Sequence, residues 1–173
     1  MSWNKKNNNV LLSVYLSNQI TELSDLLNFD IVITDGNRTP AQQVDRMFFK
    51  LNKVPPEDLT RIYANDQFAL DITAAYPDKE KAIKIVNDYL TYTLPSKHLS
   101  GLGFDIRTTG GGSSASGKLS NSQIQEVINK ANQLGFSPFL ESDHLHIDVP
   151  AQKKNVLGMV ALIGVLLWIY KKS

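Results

Sequence analysis

Ser96-Lys97-His98-Leu99-Ser100-Gly101-Leu102-Gly103-Phe104-Asp105-Ile106, taken with Glu141-Ser142-Asp143-His144-Leu145-His146-Ile147-Asp148, decides how this chain is read. The sequence holds three histidines, all of them in these two segments, and each has an aspartate within seven residues. A tetrahedral catalytic zinc takes three nitrogen or oxygen ligands from the protein and leaves a fourth position to water. His98, Asp105 and His146 supply such a set. His144-Leu145-His146 lies in an apolar-alternating run that ends at Pro150 and reads as a strand. Side chains two apart on a strand share a face, so one imidazole can bind metal while the other hydrogen-bonds water or substrate. The seven-residue step from His98 to Asp105 needs a break. Gly101 and Gly103 oppose a helix interior, and one unbroken strand would put the two residues on opposite faces. A loop or bulge at the glycines, leading into a strand through Phe104-Asp105-Ile106, is therefore expected.

The pattern Ser-x-His-x-x-Gly-x-x-x-Asp, followed downstream by Asp-x-x-His, is met here by Ser96, His98, Gly101, Asp105, Asp143 and His146. It resembles that of the zinc D-Ala-D-Ala carboxypeptidases and the phage L-alanyl-D-glutamate endopeptidases, whose fold is shared with lysostaphin-type enzymes and the hedgehog signalling domain. Upstream, Ile31-Val32-Ile33-Thr34-Asp35-Gly36-Asn37-Arg38-Thr39-Pro40-Ala41-Gln42-Gln43 resembles the strand, turn and helix that precede the first ligand in that family. The resemblance covers about residues 10 to 150. It implies Zn2+ as cofactor, peptidoglycan stems as substrate, and an acidic base three residues before the last histidine, here Asp143. The family more often has Glu at that position, so Glu141 and His144 are candidates to share the role, His144 also as an oxyanion donor. Gly103 stands where the family more often has Ala. The resemblance also implies substrate contacts from Arg38 and its companion Gln43, with Ser96 in the matched pattern. Arg38 sits at a strand exit, where a planar guanidinium grips a carboxylate. The plainer reading of Arg38 is a surface pair with Asp35 or Asp45.

Around this frame the chain reads as α+β, with a small antiparallel sheet carrying the metal site and helices flanking it. Met1 to Asn9, polar, Asn-rich and without the apolar stretch of a signal peptide, is expected as a disordered tail. From Val10 to Leu27 the apolar residues Leu12, Tyr15, Leu16, Ile20, Leu23, Leu26 and Leu27 recur at helical spacing, with Ser13 and Asn18 on the wet face. Phe29 to Ile33 is a short buried strand, and Thr39-Pro40 opens a helix as cap and first residue. Residues 52 to 78, with Pro55, Pro56 and Pro77, read as loop and short helices, one through Leu59 and Tyr63. Lys79 to Tyr92 is a helix with Ile83, Val86, Tyr89 and Leu90 inward. Thr108 to Gly117, rich in Gly and Ser, reads as a mobile loop beside the cleft; its glycines lack the Gly-Lys-Ser/Thr of a phosphate loop. Ser120 caps a helix that ends at Gly135, and Phe136 to Leu140 leads into the second metal segment.

Val156 to Tyr170 is an uncharged apolar run bracketed by Lys153-Lys154 and Lys171-Lys172. Fifteen helical residues span about 22 Å, short of the roughly 30 Å hydrocarbon core, a gap that snorkelling lysines and local thinning close. Apolar on every side, it is expected to be a C-terminal transmembrane helix. The expected organisation is thus a tail at 1–9, a zinc peptidase domain at 10–150 and a membrane anchor at 151–173. The 173 residues suit one domain with appendages, and a net charge of +1 gives no case for a nucleic-acid partner. Absence of cysteine removes disulfides and thiolate metal ligands. Together these features point to a membrane-anchored lytic enzyme, in a virion membrane or the host cell envelope, acting on bacterial peptidoglycan. The alternative is a non-catalytic, zinc-stabilised binding module for wall peptide or a protein partner, as hedgehog domains share the fold and ligand set.

Overall fold

Alternation along the metal-segment strands sets the architecture. In the computed structural model, which describes residues 2–53, 55, 66–93, 95–109, 118–141 and 144–151, five strands form one sheet. They are β1 (Trp3–Lys5), β2 (Ile31–Asp35), β3 (Gly103–Arg107), β4 (Ser137–Leu140) and β5 (His144–Asp148), in spatial order β1-β2-β3-β5-β4. The described helices are α1 (Val14–Asp25), α2 (Pro40–Leu51), α3 (Asp66–Ala75), α4 (Lys79–Leu90) and α5 (Asn121–Gln133). Phe104, Ile106, Leu145 and Ile147 point to one face, where they are buried with Leu16, Ile20 and Leu23 of α1 and Val127 and Ala131 of α5. The alternate positions Gly103, Asp105, His144, His146 and Asp148 therefore share the opposite face. A second apolar cluster joins Val44 and Met47 of α2, Phe68 and Ile72 of α3 and Val86 of α4, and Leu99 packs against it. Leu99 thus ties the turn that carries His98 to the helices, while β3 carries Asp105 within the sheet.

Three of the strand pairs are antiparallel, but β1 runs parallel to β2, so the sheet is mixed rather than purely antiparallel. A parallel pair needs a crossover, and α1 provides it. Residues 1–9 accordingly contain a strand where a disordered tail was expected. Trp3 pairs with Ile31, its indole Nε1 donates to Thr21 Oγ1 at 3.0 Å, and Lys6 N donates to Ile33 O at 2.8 Å. Helix α1 starts later than its apolar spacing suggests, because Ser13 is its N-cap and accepts from Leu16 N rather than lying on the wet face. Thr39 and Ser120 cap α2 and α5 as expected, each with a glutamine three residues on completing a capping box. Between the prolines of residues 52–78, α3 is a full helix burying Phe68, Ala69, Ile72 and Ala75. The stretch through Leu59 and Tyr63 and the glycine run at 110–117 lie outside the described residues. So does the apolar run at 156–170; among the described residues no helix is long and apolar enough to cross a membrane.

Candidate metal centre

The register of β3 against β5 places Asp105 opposite His146, Arg107 opposite His144 and Gly103 opposite Asp148. His98 reaches the same face from the turn after α4, where Gly101 takes a φ of 68° that glycine adopts without strain. The chain reverses through hydrogen bonds from Leu99 N to Ser96 O and from Leu102 N to Lys97 O, at 3.1 and 3.0 Å. This turn is the break that the seven-residue spacing required. Ligand atoms of His98, Asp105 and His146 all lie within 4.8 Å of one another.

Each ring is held in one orientation. His98 Nδ1 is 2.6 Å from the carbonyl oxygen of Gly36, which accepts the ring proton and directs Nε2 to Asp105 Oδ1 at 3.3 Å. His146 turns Nδ1 to the same Oδ1 at 2.8 Å and Nε2 to Asp148 Oδ1 at 2.9 Å. A ring with one nitrogen on a carbonyl or carboxylate and the other on a shared point is the arrangement a metal-ligating histidine needs. The donor set of two imidazoles and one carboxylate fits Zn2+ and other divalent ions alike. The packing at Gly103 is close, since a Cβ there would stand 3.0 Å from Lys97 Cβ and 3.3 Å from His146 Cε1 and its neighbours would have to give way.

Electrostatics follow from this crowding. Burial disfavours the Asp105 carboxylate, yet hydrogen bonds from His146 and His98 and the charges of His98 and His144 outweigh it and hold its carboxyl well below the usual range. Burial likewise disfavours the charged form of His146, but the carboxylates of Asp105 and Asp148 raise it to about 9. His144 Nε2 stands 3.6 Å from Glu141 Oε2 and 3.7 Å from Asp105 Oδ2. Its hydrogen bond keeps the Glu141 carboxyl below its ordinary value despite partial burial.

Arg38 is drawn in rather than extended to solvent. Its Nε and one terminal nitrogen donate to Asp35 Oδ2 at 3.2 and 2.8 Å, and the other terminal nitrogen donates to Gln43 Oε1 at 3.2 Å. The pairing with Asp35 is the plainer of the two sequence readings, and Gln43 is the companion that the resemblance named. The guanidinium also comes within 3.7 Å of Asp105 Oδ2, so it borders the candidate metal ligands. Burial opposes ionisation of Asp35, but Arg38, His98 and Arg46 hold its carboxyl below the ordinary range. Ser96, half-buried, closes the His98 turn through its carbonyl. Asp143 lies outside the described residues. Two contributors were not singled out from sequence, Asp148 and the Gly36 carbonyl, and Asp35 was named only as a possible partner of Arg38. Asp148 could have been found from its place two residues beyond His146 on one strand face; a backbone carbonyl leaves no such signal.

The chain matches no known protein family, and no curated protein or solved structure matches it either.

Proposed function

We propose that this chain is a zinc-dependent peptidase that cleaves the peptide stems of bacterial cell wall, with Zn2+ held by His98, Asp105 and His146. The observation that carries the reading is the convergence of those three side chains on one sheet face with Glu141 and His144 immediately beside them. When bound, zinc supplies a Lewis acid that polarises a peptide carbonyl and lowers the pKa of water toward about 7. The chain's own residues do the rest. The Gly36 carbonyl and Asp148 orient the two ligand rings. Asp143 takes the proton of the attacking water and returns it to the departing amine, with Glu141, held ionised by His144, as its neighbour in the role. His144 donates to the oxyanion that develops at the attacked carbonyl. Arg38, braced by Asp35 and the buried Gln43, is the substrate contact nearest the ligands, and Ser96 closes the turn that carries His98. In this reading residues 156–170 attach the enzyme to a lipid membrane, in a virion or at the host envelope, and no nucleic acid takes part.

A second reading, a zinc-stabilised binding module for wall peptide or a protein, is favoured by one observation. Arg38 spends its donors on Asp35 and Gln43, which suits a rigid scaffold as well as a substrate grip. Incubating the full chain with purified peptidoglycan, with and without a chelator, and reading released fragments by mass spectrometry separates the two. Chelator-sensitive cleavage is expected, and the fragment masses name the bond. Intact peptidoglycan in the presence of zinc-loaded protein would overturn the peptidase reading.

A further inference from the structure

Asp35 and Asp105 stand directly opposite each other where β2 pairs with β3. Two carboxylates so placed repel, and the guanidinium of Arg38 lies within reach of both. Its division between them is unequal. One terminal nitrogen of Arg38 donates to Asp35 Oδ2 at 2.8 Å and stays 3.7 Å from Asp105 Oδ2, beyond hydrogen-bond distance. All three side chains are largely buried, so little solvent screens the competition. Asp35 is itself held still. Its Oδ1 accepts from Gly36 N at 2.9 Å, and its Oδ2 accepts from Arg46 at 2.7 Å as well as from Arg38. Arg38 has further ties, through Nε to the same Oδ2 at 3.2 Å and through its other terminal nitrogen to the buried Gln43 at 3.2 Å. Asp105 turns its Oδ1 to the other two candidate ligands, His98 at 3.3 Å and His146 at 2.8 Å.

We propose that Asp35 is a positioning residue for the metal centre: it diverts Arg38 from Asp105, and so leaves the Asp105 carboxylate for a divalent cation. The proposal rests on the metal-binding part of the reading above and not on peptidase activity. A movement of about 1 Å would bring the guanidinium into a charge-assisted pair with Asp105. Such a pair competes with metal for the same carboxylate, because its lone pairs would be taken and a cation beside it repels a second one. Asp35 prevents this by offering the nearer and better-fixed acceptor. Gln43 holds the other end of the guanidinium, but a neutral acceptor attracts it less than a carboxylate does. An exposed ion pair would be too weak for this task, and the Asp35 side chain is only 13% exposed.

The test is a cycle of variants in the full chain, each titrated with Zn2+ against a metal indicator at about pH 9.5, where protons compete little for His146. Asp35→Asn should weaken zinc binding roughly tenfold, because Arg38 moves onto Asp105. Adding Arg38→Met should restore the affinity to within about threefold of wild type. Adding Arg46→Met instead should not, although it removes the same unit of charge from beside the same residue. Arg38→Met alone should bind zinc at least as tightly as wild type, and it keeps the proposal falsifiable should Asp35→Asn fail to fold. A crystal structure of the metal-free Asp35→Asn chain should show an Arg38 nitrogen within hydrogen-bond distance of Asp105 Oδ2. Four results overturn the proposal and leave the metal centre standing: zinc held equally well by Asp35→Asn, an Arg38 that has not moved in that variant, equal rescue by Arg38→Met and Arg46→Met, or a loss of affinity in Arg38→Met alone. A wild-type chain that holds no zinc removes the metal centre, and the proposal with it.

Discussion

Protons and metal compete for His146, and the competition has a size. In the metal-free chain His146 satisfies Asp105 through Nδ1 and Asp148 through Nε2, at 2.8 and 2.9 Å, which requires a proton on both nitrogens. A metal at Nδ1 needs the lone pair there, so binding must expel one proton. With the folded-state value raised to about 9, the protonated ring predominates at pH 7 by about 100 to 1. The apparent Kd for zinc should therefore be about 100-fold weaker at pH 7 than above pH 9, changing about tenfold per unit between. Competition against a metal indicator from pH 7 to 9.5 measures the slope, and calorimetry in two buffers of different ionisation heat measures the proton released, about one at pH 7. Asp148→Asn removes one of the two carboxylates that raise His146, so its value falls toward 6.5 and the slope flattens. The same variant should bind zinc about 10- to 100-fold more weakly at high pH, where proton competition no longer masks the loss of the orienting partner. A wild-type Kd that is the same at pH 7 and pH 9, with no proton released, would refute the reasoning.

Other expectations follow from the same contacts. Gly103→Ala puts a Cβ 3.0 Å from Lys97 Cβ, so it should cost about 1–3 kcal/mol in denaturant unfolding and weaken zinc binding through His146. Gly36→Ala meets the Leu11 carbonyl oxygen and should be harsher, displacing the carbonyl that orients His98; loss of the folded far-ultraviolet signal or of zinc stoichiometry reports it. The metal-free chain should lose stability at both ends of the pH scale. The raised value of His146 contributes stability that is complete below about 6.5 and lost as pH rises through about 9. The lowered carboxyls of Asp105 and Asp35 contribute stability present above the ordinary aspartate value and lost as pH falls below it. Thermal melts from pH 3 to 10 in the presence of chelator trace both limbs. Asp143→Asn should keep zinc and lose at least tenfold in wall-cleaving rate; full activity would move the base to Glu141.

The convergence of His98, Asp105 and His146, a group that could hold a metal ion, was legible because its residue types are scarce and its spacing fits strand periodicity. His144, His146 and Asp148 alternate with Leu145 and Ile147, and β5 shows that alternation directly. The His98 turn was legible for the opposite reason, since glycines forbade every regular element that spanned the seven residues to Asp105. Edge strands were not. β1 is three residues long and only Trp3 packs against the core, while Asn4 and Lys5 are exposed and the strand pairs with Ile31–Ile33, so little in its composition announces it. β4 carries Pro138 and exposes Phe139 and Leu140, as only an edge strand tolerates. Helix α3 did leave a signal, Phe68, Ile72 and Ala75 at helical spacing, but neighbouring prolines outweighed it in the reading. Arg38 shows why turn residues are hard to assign. Its guanidinium pairs with Asp35, three residues away and also bound by Arg46, at the register shift that sets Asp35 opposite Asp105.

The measurement closest to the central claim is titration of zinc into the full chain, read by metal content after gel filtration and by X-ray absorption at the zinc edge. The account predicts one tightly held equivalent with two imidazole nitrogens and a carboxylate oxygen in the coordination shell, lost in Asp105→Ala and in His146→Ala. Zinc retained unchanged in both variants, or no zinc held by the wild-type chain at pH 9, would contradict it.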